Sequence, residues 1–379
     1  VYVPADHFHA RLVPDHGAAA LQAIDEHEAL LRGLLDDDGD LLDRVRDKLA
    51  SEPVEDLRID FEDGYGTRPD DEEDDDARRA AAELRTSISA GDAAACTGIR
   101  FKGFEAPTRR RGVRTLALFL EQLLAGGALP EGFVITLPKV TAVEQVEALV
   151  HTLQRLEHAL GLADRSLRFE IQVETPQSIL GPDGTALVAR MVHASGRRCT
   201  GLHYGTYDYS AYCGIAAAHQ SLAHPVADHA KAVMQAAAAG TGVRLSDGST
   251  NVLPVGSPEQ VAAAWANHLR LVRRSLERGF YQGWDLHPAQ LPTRFAATFA
   301  FYREGLDAAA GRLRTYVGRQ ASGVLDEPAT ARALADFLLR GLDCGALSGA
   351  EVAEATGLDT DALAGLAHRA GGPTDGEGG

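Results

Sequence analysis

Short β-rich runs alternate with longer helical segments along most of the chain, and this alternation restricts the possible folds more than any other feature. The candidate strands are residues 2–4, 57–61, 97–102, 133–137, 167–173, 199–204, 243–245 and 279–286. Strands that alternate with helices form parallel β/α units, and eight such units close a barrel. An open doubly wound sheet usually carries a glycine-rich turn after its first strand, and residues 2–6 contain no glycine. We therefore expect an α/β protein with a (β/α)8 TIM barrel.

Helical periodicity fills the intervals between these runs and continues beyond the last of them. The predicted helices are residues 18–35, 41–50, 78–89, 114–124, 143–160, 183–192, 226–239, 258–277 and 329–342. Ser348 and Glu351 have the spacing of a capping box, which predicts a further helix. We expect a barrel domain over residues 1–314, a helical C-terminal extension over 315–370 and a disordered, glycine-rich tail over 371–379.

Charge and composition exclude several classes of protein. Lys and Arg together number 37 and Asp and Glu number 54, so the net charge of −17 disfavours general nucleic-acid binding. No apolar run reaches the roughly 20 residues of a membrane-spanning helix, so we expect no membrane partner. The four cysteines are widely spaced, without a CxxC pair or a zinc-type cluster. Free thiols and a start unlike a signal peptide favour a cytoplasmic protein.

Charged side chains follow nearly every predicted strand, and in a barrel these strand ends form one mouth where active sites lie. Glu174 is the most informative, because it ends a strand with one apolar face, where a carboxylate needs a partner. A divalent cation shared with Asp208 would be such a partner, and oxygen ligands without His or Cys suit Mg²⁺ or Mn²⁺. The other charged residues at these ends are Asp60, Glu62, Asp63, Arg100, Lys102, Lys139, Asp247, Asp285 and His287.

The same segments, taken in order over residues 1–340, resemble the superfamily of the citrate lyase beta subunit and the HpcH/HpaI aldolases. The matching segments are Val3-Pro4, Arg58-Ile-Asp60-Phe-Glu62-Asp63, Ile99-Arg100-Phe101, Leu137-Pro138-Lys139-Val140, Val173-Glu174-Thr175, Gly205-Thr-Tyr-Asp208-Tyr209, Leu286-His287-Pro288-Ala-Gln290 and Gly323-Val-Leu-Asp326-Glu-Pro328. Members of this superfamily are Mg²⁺-dependent barrels that cleave or form a carbon–carbon bond next to a carbonyl. The resemblance therefore implies a lyase of this type.

The resemblance also implies roles for individual residues. Glu174 and Asp208 match the two metal-binding carboxylates, and Arg100 matches the arginine that binds a substrate carboxylate or developing oxyanion. Asp326 resembles an aspartate that, in the coenzyme A branch, enters the active site from a neighbouring subunit as acid/base, although it is also typical of a helix cap. The residues expected one layer further out, or in purely structural roles, are Glu62, Asp63, Lys139 and His287.

Three functions remain open at this point. The first is a Mg²⁺-dependent lyase that converts a 3-hydroxyacyl-coenzyme A into a 2-keto acid and an acyl-coenzyme A. The second is an HpaI-type aldolase on free 2-keto acids, with a malate-synthase-like condensation as a variant. The third is a non-catalytic barrel whose helical C-terminus binds a partner, and the presence of Glu174, Asp208 and Arg100 argues against it.

The resemblance further implies a homo-oligomer, a trimer or hexamer, in which the C-terminal segment of one subunit covers the barrel of the next. Residues 315–326 contain two glycines and few large apolar side chains, as expected of a mobile crossing segment. The predicted helix 329–342 carries an apolar stripe that packs either on a neighbouring subunit or on its own barrel. This stripe consists of Leu334, Phe337, Leu338 and Leu342.

Two charged runs stand outside the strand–helix rhythm. The acidic run over residues 70–76 predicts a solvated loop that leads into a helix at Arg78. The basic run at 109–111, with Arg114 beyond it, predicts either a contact with coenzyme A phosphates or a solvated loop that balances the acidic run.

Overall fold

The computed structural model of the chain describes residues 1–35, 40–321 and 328–367. In this part, seven strands form one sheet in which neighbours are parallel and follow chain order. The strands are β1 (Tyr2–Pro4), β2 (Asp56–Asp60), β3 (Cys96–Arg100), β4 (Phe133–Leu137), β5 (Arg168–Val173), β6 (Cys199–Tyr204) and β7 (Arg244–Ser246). Since all neighbours are parallel, the C-terminal ends of the strands meet at one edge of the sheet.

The helices follow the predicted pattern closely. The α-helices are α1 (Leu12–Leu35), α2 (Asp40–Ser51), α3 (Asp70–Ala90), α4 (Arg109–Leu124), α5 (Val143–Leu160), α6 (Pro176–Ile179), α7 (Leu187–Ala194), α8 (Thr206–Tyr212), α9 (Pro225–Ala238), α10 (Pro258–Glu277), α11 (Leu291–Ala321), α12 (Pro328–Asp343), α13 (Gly349–Thr356) and α14 (Thr360–Ala367). Among the described helices, none combines the length and the apolar character needed to cross a membrane. The four cysteines are free thiols.

The predicted eighth strand, residues 279–286, does not join the sheet by a hydrogen-bonded ladder in the described chain. It makes one parallel bridge, between Ser246 and Gln282. Backbone hydrogen bonds also join it to the chain after β7, from the Asp247 N–H to Gln282 at 2.8 Å and from the Trp284 N–H to Gly248 at 3.4 Å. Towards β1 and β2 its contacts are made by side chains: the Gln282 amide donates to Asp56 of β2 at 2.7 Å, and the Trp284 ring lies 4.2 Å from that of Tyr2 in β1. The α/β class and the parallel sheet are therefore confirmed, whereas the complete eight-stranded barrel is not.

The sequence predicted solvated loops at both charged runs, and this prediction is wrong. The acidic run forms the first two turns of α3 and the basic run begins α4. Glu73 and Asp74 are buried and pair with cations: Glu73 accepts from Lys102 at 2.6 Å, and Asp74 accepts from Arg111 at 2.5 Å and from Arg114. The two runs do balance each other, but as ion pairs between packed helices rather than as solvated loops.

The chain divides into two compact units, Val1–His27 with Leu49–Leu291, and Glu28–Lys48 with Pro292–Gly379. The first contains the whole sheet. In the second, the Phe337 ring of α12 lies 5.6 Å from the Phe301 ring and 5.1 Å from the Tyr302 ring, both on α11. The predicted helix 329–342 is thus present, and Phe337 of its apolar stripe packs on α11 of the same chain. The predicted crossing segment 315–326 is helical up to Ala321, and its remainder lies outside the described residues.

Candidate metal site and active site

Six of the predicted site residues lie at or just beyond the C-terminal edge of the sheet, among them Glu62, two residues beyond β2. Arg100 ends β3, Lys139 lies two residues beyond β4, and Glu174 directly follows β5. Asp63 lies in the loop after β2, and Asp208 is in the first turn of α8, which follows β6. The edge predicted to carry the site therefore brings these side chains together.

Strand β5 delivers Glu174 through the alternation of its side chains. Its apolar residues are fully buried on one face, and Glu170, Gln172 and Glu174 share the opposite face. The neighbouring position 205 requires glycine, because a Cβ atom there would lie 2.5 Å from the Cβ of Glu174. Glu174 is consequently only 2% exposed, at the wall of the site rather than in open solvent.

Three carboxylates form a cluster with the chemistry of a magnesium site. One carboxylate oxygen from each of Asp63, Glu174 and Asp208 lies within 4.8 Å of the other two. Ligand oxygens about 2.0–2.1 Å from one Mg²⁺ are about 2.9 Å apart when adjacent and about 4.2 Å apart when opposite. The separations in the cluster, within 4.8 Å, are close to the larger of these values. The hard oxygen donors fit Mg²⁺ or Mn²⁺, with water or substrate completing the coordination.

Lys139 lies inside this acidic cluster. Its Nζ atom donates to Asp208 at 2.6 Å and to Asp63 at 3.0 Å, and it lies 3.3 Å from Glu62. Its backbone N–H donates to the Glu174 carboxylate at 2.7 Å. Partial burial alone would lower the pKa of the ammonium, but the surrounding carboxylates raise it, so Lys139 stays charged.

Burial raises the pKa of two carboxyls next to Lys139. It raises the pKa of Glu174 to about 8, against the opposing charges of Lys139 and Arg100. It also raises the pKa of Glu62 to about 7, with Arg100 opposing this shift. For Asp63, burial is outweighed by the hydrogen bond and charge of Lys139, which hold its pKa below the ordinary value. A buried carboxyl that favours the neutral form gains most from a nearby cation.

Arg100 is buried and held rigidly beside the cluster. Its Nε and Nη2 atoms donate to the two oxygens of Asp60 at 2.7 and 2.6 Å, and Nη1 donates to Gln172 at 3.1 Å. The Nη1 atom also lies 3.7 Å from Glu62. This bidentate pairing fixes the plane of the guanidinium, which is only 6% exposed, with Nη1 on the side of the acidic cluster.

Sequence reasoning missed Gln172, which connects Arg100 to Glu174, and placed Asp60 at a strand end without its role as the partner of Arg100. Gln172 accepts from Arg100 and donates to Glu174 at 2.5 Å, and Asp60 fixes the other side of the guanidinium. A signal for them is present: Arg58 and Asp60, like Glu170, Gln172 and Glu174, recur with period two inside predicted strands. Polar residues at every second position of a buried strand indicate a polar face, which is unusual for a barrel interior.

A second ion pair lies deeper on the same face. Arg58 donates to Glu170 through Nε at 2.8 Å and Nη2 at 2.9 Å. His203 lies 2.8 Å from the other side of this carboxylate, and the Trp284 indole donates to its Nδ1 at 2.9 Å. Because Glu170 is buried, the charge of Arg58 holds its pKa well below the ordinary value against the effect of burial. This network lies next to Asp60 and Gln172 on the same strands, on the side away from the C-terminal edge of the sheet.

The other predicted site residues lie apart from the cluster or outside the described residues. The His287 Nδ1 accepts from the N–H of Ala289, so this histidine caps its own turn. Asp326 lies outside the described residues. Of the basic run, Arg109 and Arg110 line a cavity of about 560 Å³ between α4 and α5, together with Phe104 and Val113. None of the carboxylates of the acidic cluster lines this cavity.

Comparison with known proteins identifies a family and a fold. The model of a family described as "Domain of unknown function (DUF6986)" matches residues 1–371. No curated protein matches the chain significantly. A crystal structure of a citrate lyase from Burkholderia xenovorans LB400 is 21% identical, with a TM-score of 0.62, and the match covers 84% of this chain and 92% of that one. At this identity the match shows a shared fold.

Two further solved structures are similar at lower scores. The citrate lyase beta subunit from M. tuberculosis, complexed with oxaloacetate and magnesium, is 17% identical over 79% of this chain and 95% of that one, with a TM-score of 0.46. The Haloferax volcanii malate synthase, in a magnesium/glyoxylate complex, is 16% identical over 64% of this chain and 65% of that one, with a TM-score of 0.48. The fold shared with the Burkholderia citrate lyase agrees with the resemblance predicted from the motifs of this chain.

Proposed function

This chain belongs to the family described as "Domain of unknown function (DUF6986)", and we propose a function for it on the basis of the chemistry of its acidic cluster. The protein acts as a divalent-metal-dependent carbon–carbon lyase of the citrate lyase and aldolase type. The observation that carries this proposal is the convergence of Asp63, Glu174 and Asp208 beside the rigidly held Arg100. The fold shared with a citrate lyase supports the same reaction class.

In this reaction the difficult species is an enolate next to a carbonyl, whose charge must be stabilised as it develops. A bound Mg²⁺ or Mn²⁺ would polarise that carbonyl as a Lewis acid. Asp63, Glu174 and Asp208 would hold the ion, and Gln172 orients the Glu174 carboxylate. Arg100, fixed by Asp60, presents Nη1 to the substrate carboxylate or to the oxyanion. A small anionic keto acid therefore fits this site by charge.

The finer proposal is that the substrate is a 3-hydroxyacyl-coenzyme A, which yields a 2-keto acid and an acyl-coenzyme A. The cavity beside Arg109 and Arg110 supports it, because two exposed guanidinium groups at one cavity suit the phosphates of such a thioester. An aldolase that acts on free 2-keto acids is the second candidate. It is favoured because the three carboxylates that could hold the metal do not include any residue of this cavity. A malate-synthase-like condensation is the reverse use of the same groups.

A substrate screen tests both candidates. Acyl-coenzyme A thioesters would be combined with glyoxylate, pyruvate or oxaloacetate, and 3-hydroxyacyl thioesters and free hydroxy-keto acids offered for cleavage, with Mg²⁺ or with a chelator. We expect metal-dependent turnover of a thioester, and a KM for that thioester that rises at least tenfold in Arg109→Ala/Arg110→Ala. Turnover of free acids alone, unaffected by the double variant, would establish the aldolase candidate. No metal-dependent turnover with any substrate would reject the lyase.

The proposed acid/base, Asp326, is tested by mixing subunits. We propose that the protein is a homo-oligomer, a trimer or hexamer, in which Asp326 serves the active site of a neighbouring subunit. Inactive Glu174→Ala chains mixed with inactive Asp326→Ala chains should then regain part of the wild-type activity, because some sites combine both intact groups. Absence of recovery, with mixing verified by mass spectrometry of the intact oligomer, would show that Asp326 does not act across subunits.

A further inference from the structure

We propose that Lys139 is a built-in counter-cation of the acidic cluster, which holds the carboxylates together in the metal-free protein and is displaced when a divalent ion binds. This inference rests on the metal site of the proposed function. It concerns a residue that the sequence placed at the mouth of the barrel without a role of its own, and it makes Lys139 a positioning residue that sets the strength and selectivity of metal binding.

The contacts of Lys139 carry the proposal. Its ammonium lies 2.6 Å from Asp208 and 3.0 Å from Asp63, two of the three candidate ligands. Its backbone N–H holds the third, Glu174, at 2.7 Å. One residue therefore touches the whole ligand set. An ion close enough to coordinate Asp63 and Asp208 would occupy the space of this ammonium, and two cations at such a distance repel each other strongly in a partly buried site. Binding of the metal therefore requires Lys139 Nζ to leave.

The backbone at Lys139 is strained in a way that produces these contacts. Its φ angle is +51°, in the left-handed region that non-glycine residues rarely adopt. Glycine or asparagine would adopt this conformation at lower cost, so the lysine side chain has a reason to be there. The conformation turns the N–H of Lys139 towards Glu174 and carries the side chain towards Asp63 and Asp208.

The choice of lysine suits a cation that has to move. The chain contains only four lysines among its 37 basic residues, Lys48, Lys102, Lys139 and Lys231. An ammonium is a compact charge on a flexible stem, whereas a guanidinium would form fixed bidentate pairs with these carboxylates. The Lys139 side chain is 24% exposed, against 11% for Lys102 and 4% for Lys231. Lys139 therefore has a route to solvent that these two lysines lack.

The consequence is that only an ion with a higher charge than the ammonium should displace Lys139 from the cluster. A monovalent ion carries the same charge as the ammonium it would replace and gains little by exchange. A divalent ion doubles the positive charge among the carboxylates and can compensate the loss of the lysine contacts. The cluster is thus kept in shape without metal, and it selects for divalent ions.

Calorimetric titration with Mg²⁺ and Mn²⁺ tests the proposal in Lys139→Met. This variant keeps the stem of the side chain but removes the competing charge. We expect the Kd for the metal to fall at least tenfold and the Tm of the metal-free protein to fall, because the carboxylates then repel each other. Arg155→Met, which removes an exposed positive charge from α5, is the matched control and should change the Kd less than twofold. A Kd in Lys139→Met equal to or weaker than wild type would overturn the proposal.

A second measurement uses the wild-type protein, so the test does not depend on the folding of the variant. The protein is treated with a small amine-reactive acetylating reagent, and the rate of acetylation at each lysine is followed by mass spectrometry. With saturating Mg²⁺ we expect Lys139 to react at least threefold faster, while Lys102 and Lys231 keep their rates. An unchanged rate at Lys139 in a protein that binds Mg²⁺ would reject the displacement alone. Absence of Mg²⁺ and Mn²⁺ binding in both wild type and Lys139→Met would reject the metal site itself, and this inference with it.

Discussion

Glu174→Gln is expected to abolish binding of the divalent ion while leaving the metal-free protein folded. The replacement keeps the size of the side chain but removes the charge that attracts Mg²⁺ and one of the two oxygens that accept hydrogen bonds from Lys139 and Gln172. A charged carboxylate at this position, 2% exposed, is costly to bury, so the neutral amide should offset the lost hydrogen bond and leave the Tm of the metal-free protein nearly unchanged. We expect the Kd for Mg²⁺ to rise by on the order of 100-fold or more, since even residues that only orient a ligand change affinity by about 10–100-fold.

Thermal unfolding with and without Mg²⁺ measures this directly. A ligand at 100 times its Kd stabilises a protein by about 2.7 kcal/mol, which is a shift of several degrees in Tm for wild type. Glu174→Gln should show no such shift. Glu147→Gln, which removes an exposed carboxylate from α5, should keep the full shift. Asp63→Asn should lose less than Glu174→Gln, because the Asp63 side chain is 54% exposed and water can replace it as a ligand. A full shift in Glu174→Gln would exclude Glu174 as a ligand.

The sequence predicted the edge on which the site lies because it predicted the strands. Seven of the eight strands lie within one or two residues of their predicted bounds. Apolar runs of the right length, separated by helical periodicity, are sufficient evidence for buried parallel strands. The eighth run is more polar, with two glycines, Gln282 and Asp285 among its eight residues, and it contacts β1 and β2 through the side chains of Trp284 and Gln282. These contacts depend on neighbours that no local pattern contains.

The positions of Glu174 and Asp208 in the candidate site were predictable, but the inclusion of Asp63 and the internal contacts of the site were not. Glu174 and Asp208 follow strand ends, and the topology alone brings such residues together. The pairing of Asp60 with Arg100 depends on the register of β2 against β3, which places these two residues side by side. The position of Lys139 depends on a left-handed backbone that the segment Pro138-Lys139 does not reveal. Interactions fixed by register or by a rare φ angle therefore required the structure.

Charge composition was the least reliable guide. Seven consecutive acidic residues favoured a solvated loop, yet these residues begin α3. Successive residues of a helix point in directions about 100° apart, so part of any acidic run must face the neighbouring helix. Here Glu73 and Asp74 face α4, where Arg111 and Arg114 compensate them. A run of like charge predicts exposure only when the chain offers no cationic partner nearby.

The second large effect is expected for Arg100→Lys, which should keep the fold and lose most of the activity in the proposed reaction. Lys retains the positive charge beside Asp60 but cannot hold both of its oxygens and also present a hydrogen-bond donor to the substrate. The loss of one donor to a developing oxyanion costs about 10²–10³-fold in kcat. We expect a loss of this size in kcat for the metal-dependent reaction, with a smaller change in the Kd for the metal.

Arg58→Lys is the matched control for this variant. Arg58 also makes a buried bidentate pair, with Glu170, on the same face of the sheet and two residues before Asp60, but deeper than the acidic cluster. Both variants remove a guanidinium from a buried ion pair, so both should lower the Tm, because each leaves hydrogen-bonding capacity on a buried carboxylate unmet. Only Arg100 lies beside the cluster, so only Arg100→Lys should lose kcat by two orders of magnitude or more at a temperature where both are folded. Equal losses of kcat in the two variants would assign the effect to the integrity of the polar face, and unchanged turnover in Arg100→Lys would remove Arg100 from the proposed reaction.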